Sequence, residues 1–214
     1  MGKIFNLDAP VIQWLGKVGQ MMLSTVTWLL FCLPVFTIGA STAALYRVMF
    51  NLKEDKSCAF KVFFRAFREN FKKATILWLL LLVCAAALVG LYWLVMLLEQ
   101  DLLRMAAVVI FCILFLLVYI AGLYVFPLTA YFENTLGATV RNAIGMGFGN
   151  LCQSIIACAV TFVPLVALIA SVEIFLQMLF LWLVLGPGAI AYGVVCALRP
   201  VFCRYVPENE ENQV

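Results

Sequence analysis

Five stretches of the chain run without a single charged residue, 18–46, 74–98, 105–132, 142–172 and 174–198. At 1.5 Å of rise per residue, roughly 20 helical residues cross a hydrocarbon core of about 30 Å, so each run is long enough for one crossing. The interiors are continuous apolar stretches such as Leu77 to Val83. A lipid-facing β-barrel would instead alternate apolar and polar residues. The pattern predicts an all-α integral membrane bundle with five transmembrane helices, near 20–45, 74–98, 105–132, 151–172 and 174–198. A cytoplasmic loop at 47–73 and a tail at 199–214 complete a single membrane domain over 1–214. Composition agrees: 66% of the 214 residues are hydrophobic and 12% charged, against about half and a quarter in soluble domains.

Two shorter patterns flank the first run. Ahead of it, Val11, Trp14, Leu15, Val18 and Met22 share one helical face, with Pro10 suited to a first turn. This predicts an N-terminal interfacial helix with Trp14 at headgroup level. Small residues near Ser41-Thr42-Ala43 resemble a cleavage site, but the preceding region is too long for a signal peptide and cleavage would export the most basic loop. Behind the first run, Phe60, Phe63, Phe64, Phe67 and Phe71 recur at steps of three and four, with Lys61, Arg65, Arg68, Glu69, Lys72 and Lys73 between them. That is a basic amphipathic helix running into the second span. Its phenylalanine face, with Arg68 beside it, suits anchorage in the membrane and also docking of a partner protein.

Charge sets the orientation. Between 47 and 73 eight cations (Arg47, Lys53, Lys56, Lys61, Arg65, Arg68, Lys72, Lys73) face three anions (Glu54, Asp55, Glu69), and positive residues are retained on the cytoplasmic side. With five spans the N-terminus is outside and the C-terminus cytoplasmic, which puts eleven of the 14 Lys and Arg inside and leaves Lys3, Lys17 and Arg104 outside. The expected location is the cell (plasma) membrane.

Chemistry-bearing residues are sparse. The eight cysteines stand singly, without a CxxC, and histidine is absent. The usual metal ligands and general base are therefore missing, and no enzyme activity, metal site or cofactor is expected. Three helix-breaking positions, Pro34, Pro127 and Pro187, fall within predicted spans. Each frees backbone groups that hydroxyls such as Ser41, Thr42 and Thr129 can satisfy. Kinked, closely packed helices account for them most simply, and a broken helix lining a substrate path is the sharper alternative. Beyond the third run, Glu133 and Asn134 sit near the interface, where Glu133 can pair with Arg141 or a cation of the first loop. The glycines at Gly145, Gly147 and Gly149 lack the strand and lysine of a phosphate loop, so neither nucleotide nor nucleic acid is an expected partner.

The stretch LPVFTIGASTAALY at 33–46, then FFRAFRENFKKAT at 63–75, then Phe126-Pro127-Leu128 with Phe132-Glu133-Asn134 resemble the YesL-like family, as does Asn6-Leu7-Asp8-Ala9-Pro10 near the start. These are small bacterial multi-pass membrane proteins whose domain has no established function and no assigned catalytic residues. Members are commonly encoded beside sugar-uptake transporters, which implies an accessory or regulatory role in carbohydrate uptake with an ATP-driven sugar transporter as partner. The alternative is a small stand-alone transporter or channel. A sugar path needs several hydrogen-bonding groups at mid-depth, and Gln153, Ser154, Thr161, Ser171 and Gln177 are the few on offer.

Overall fold

The computed structural model of the protein describes residues 10–54, 59–98, 100–170, 172–177 and 179–205. These residues form α1 (Pro10–Phe31), a 3-10 turn (Val35–Thr37), α2 (Ile38–Lys53), α3 (Ala59–Met96), α4 (Asp101–Tyr131), α5 (Leu136–Gly149), α6 (Leu151–Ala170), α7 (Val172–Gln177) and α8 (Leu179–Phe202), with no strand among them. Three helices, α3, α4 and α8, are long and apolar enough to cross a membrane. The pair α5 and α6 reaches a fourth crossing only if counted as one span bent by 101°. By itself α1 is diluted by Lys17, Gln13, Gln20 and the hydroxyls of Ser24, Thr25 and Thr27. In the fifth uncharged run the described residues are helical, in α7 to Gln177 and in α8 from Leu179 to Phe202.

The first uncharged run is two helices rather than one. Pro34 lacks an N–H and takes an extended conformation (φ −78°, ψ 122°), which ends α1. The carbonyls left open are taken up locally: the Thr37 hydroxyl donates to Phe31 O at 2.5 Å and to Pro34 O at 2.7 Å. Trp78 of α3 donates its indole N–H to Val35 O at 2.9 Å. The chain then folds back on α1, because Trp28 Nε1 donates to Thr42 Oγ1 at 3.2 Å and Cys32 Sγ lies 3.0 Å from Ser41 Oγ. In one straight helix residues 28 and 42 would stand about 21 Å apart.

From the break, α2 runs antiparallel to α3, Gly39 lying against Ala74 and Trp78 and Asn51 opposite Val62. Gly39 is needed at this crossing. A Cβ there would collide with the Ala74 carbonyl oxygen and Trp78 Cβ. Gly188 similarly lets α8 approach Met21 and Thr25 of α1.

The core lies toward one end of the bundle, where α2, the first half of α3, the last third of α4, α5 and the second half of α8 converge. Phe63, Tyr124, Leu128, Leu198 and Phe202 are fully buried there. Phe50, Tyr131 and Phe202 close the cluster, their rings 4.8 to 5.9 Å apart. At 38 residues α3 is about 57 Å long, nearly twice a crossing, so its first half belongs to this body and its second half projects. The projecting part pairs with the first half of α4 through Tyr92 and Phe111. The outward side chains of both are large and apolar, with Val83 at 67% and Leu102 at 82% exposure. Such a surface is stable against lipid and not against water.

Candidate functional site

The phenylalanine row of the amphipathic segment divides on folding. Phe63 points into the core, and Phe31 of α1 packs on Phe63, Phe64 and Phe67 with ring centroids 5.0 to 6.0 Å apart. Phe67 and Phe71 rest on the small residues Ala40, Ala43 and Ala74. Phe60 and Phe64 face outward, and Arg68 is exposed. The chain's own α1 and α2 thus cover the centre of the face and leave its first turn open.

Of the helix-break residues, the structure brings Pro34, Ser41 and Thr42 into one cluster with Trp28, Cys32, Thr37 and Trp78. Pro127 lies inside α4 and Pro187 inside α8, away from that cluster along the chain. Near Pro127, Thr129 donates to Val125 O at 2.7 Å within its own helix. Glu133 is exposed after the end of α4, with Asn134 half-buried beside it. Its carboxylate lies within electrostatic range of Lys73, the last charged residue before the apolar part of α3.

Between α2 and α3 the antiparallel packing opens a cleft of about 280 Å³ lined by Arg47 and Asn51 from α2 and by Lys61, Val62, Arg65, Ala66 and Glu69 from α3. Helical geometry explains the convergence. Arg47 and Asn51 are four residues apart, and Lys61, Arg65 and Glu69 follow at the same step, so each set occupies one stripe of its helix. Arg47 is half-buried and fixed, because its Nη1 donates to Ala130 O at 3.0 Å. That carbonyl belongs to the last turn of α4, whose orphan acceptors favour a cation. Lys61, Arg65 and Glu69 are exposed at the rim. Nearby, Arg199 of α8 reaches Glu54 at the end of α2 at 3.8 Å.

Three cations against one anion give the cleft a formal charge of about +2 at pH 7. It can supply guanidinium forks, an ammonium and an amide to the oxygens of an anion, which is binding chemistry. Among the described residues no group of three Cys, Asp or Glu is placed to hold a metal ion. The amino-acid sequence shows Arg47 in a basic loop and Lys61 and Arg65 on the amphipathic helix, without their convergence. The signal available in it is the pair of four-residue steps on α2 and α3, but their meeting depends on the fold-back at Pro34.

The apolar surface of α3, α4 and α8 defines a multi-pass helical membrane protein. Within it, residues 21–97 match the family described as "Protein of unknown function, DUF624". That stretch holds the second half of α1, the break, α2 and α3, and so both the helix-break cluster and the cleft. No curated protein and no solved structure matches the chain.

Proposed function

We propose that this protein is an accessory or regulatory membrane component of the YesL-like kind, working beside a carbohydrate-uptake transporter of the ATP-driven type rather than conducting a substrate itself. The observation that carries the reading is the state of its buried hydroxyls. Ser24, Thr25, Thr27, Thr37, Ser41, Thr129, Thr139 and Ser154 are buried, and each donates to a backbone carbonyl of its own neighbourhood. Thr161 pairs with Tyr119; Gln153 is half-buried, Gln177 is exposed, and Ser171 lies outside the described residues. A sugar path must replace the water around each hydroxyl with unengaged donors and acceptors, since an unpaired polar group in apolar surroundings costs several kcal/mol. Among the described residues Thr75 Oγ1 is the buried side-chain oxygen left without a partner, and the hydroxyls named above are already spent on carbonyls close to them. The association with sugar uptake rests on the family resemblance.

In this reading the protein lies in the cell membrane with the cleft and the C-terminus on the cytoplasmic side. The cation distribution supports the orientation. No catalytic step is assigned. A stand-alone transporter or channel is the second reading, favoured by the broken helices at Pro34 and between α5 and α6, since discontinuous helices build many transporter sites. Affinity purification from native membranes separates the two when joined to uptake assays in a deletion strain. Co-purification of transporter subunits and reduced sugar uptake on deletion are expected. Isolation as a lone species with uptake unchanged overturns the accessory reading.

A further inference from the structure

We propose that the cleft between α2 and α3 is a binding site for a phosphate-bearing anion of about two negative charges. A soluble phosphomonoester and the paired phosphates of a cardiolipin headgroup share this chemistry. The inference stands on the cleft alone and holds whether or not the protein assists a transporter.

Three features point to such a ligand. Arg47 is held in place by Ala130 O through a single nitrogen, so its remaining donors are preorganised and lose little freedom on binding. Lys61 and Arg65 stand one turn apart on the opposite wall, with Asn51 one turn beyond Arg47, so donors approach the same volume from two helices. The volume, about 280 Å³, admits a phosphate group together with the first atoms of what carries it. A phosphomonoester carries about −1.5 to −2 at pH 7 and offers three acceptor oxygens, which matches both the charge and the number of cations. A carboxylate would neutralise only half of the charge. Basic pockets at the cytoplasmic ends of membrane helices also receive cardiolipin headgroups by this chemistry.

Glu69 gives the proposal a signature that general surface charge lacks. It lines the cleft and repels the anion, so its removal should strengthen binding while removal of the cations weakens it.

The full-length protein in nanodiscs of phosphatidylcholine is titrated with glycerol 3-phosphate by calorimetry. In parallel, nanodiscs of phosphatidylcholine with cardiolipin are examined by native mass spectrometry for retained lipid. Glycerol 3-phosphate binding identifies a soluble source, and cardiolipin retention alone identifies the headgroup. With whichever probe binds, the double variant Lys61→Gln/Arg65→Gln should weaken binding about a hundredfold, roughly tenfold per charged hydrogen-bonding partner lost. Glu69→Gln should tighten it severalfold. Arg68→Gln/Lys72→Gln removes two exposed cations of the same helix that do not line the cleft, and should change affinity less than twofold. All of these residues are exposed, and circular dichroism checks that the helices persist in each variant. Binding of neither probe overturns the proposal, as does equal weakening by the two double variants or a Glu69→Gln variant that binds no tighter.

Discussion

Single side chains of the phenylalanine row do different work from neighbouring positions. Phe63 is fully buried among Phe31, Phe64 and Phe67, whereas Phe60 is 52% exposed. Truncating a buried phenylalanine removes its transfer energy and leaves a cavity, at about 3–5 kcal/mol, while the same change at an exposed site is nearly neutral. Phe63→Ala should therefore lower the unfolding temperature in detergent by many degrees, and Phe60→Ala should leave it within a degree or two. Similar losses from both would mean that the row is not split between core and surface. The periodicity of these residues is legible in the sequence, because steps of three and four can only be a helical face. What covers the face is not legible. Phe31 arrives from another helix, and only the fold-back at Pro34 delivers it.

Among the elements, helical class and the positions of α3, α4 and α8 follow from uncharged runs, since lipid admits few alternatives to a helix. The first run shows where that logic stops. Proline says that a helix ends but not where the chain goes next; the direction is set by Thr37, Trp78 and the close contact at Gly39, which are tertiary facts. The cleft was hidden for the same reason. Its cations are visible one by one, and their convergence needs α2 to lie antiparallel on α3. The hairpin of α1 and α2 is open to a direct test. With the remaining cysteines replaced, Ser41→Cys should form a disulfide with Cys32 under mild oxidation, because Sγ and the present Oγ are 3.0 Å apart. A continuous helix through 20–45 would separate these positions by about 13 Å and forbid the bond. Absence of the crosslink by mass spectrometry would contradict the hairpin.

For the whole molecule, charge and polarity make separate statements. The cations place one end of the bundle in the cytoplasm, so an impermeant thiol reagent added to right-side-out vesicles should miss Cys203, which is exposed just after α8. Rapid labelling from outside would reverse the orientation. The buried serine and threonine hydroxyls, all but that of Thr75 among the described residues engaged with a backbone carbonyl, set the functional reading, because a helix bundle with so few unengaged polar groups has little with which to desolvate a sugar. The measurement closest to that claim is sugar flux into liposomes containing the purified protein and nothing else. Mono- and oligosaccharide entry should not exceed that of protein-free liposomes. Saturable uptake above that baseline, whether facilitated or concentrative, would contradict the accessory role and establish the protein as a transporter in its own right.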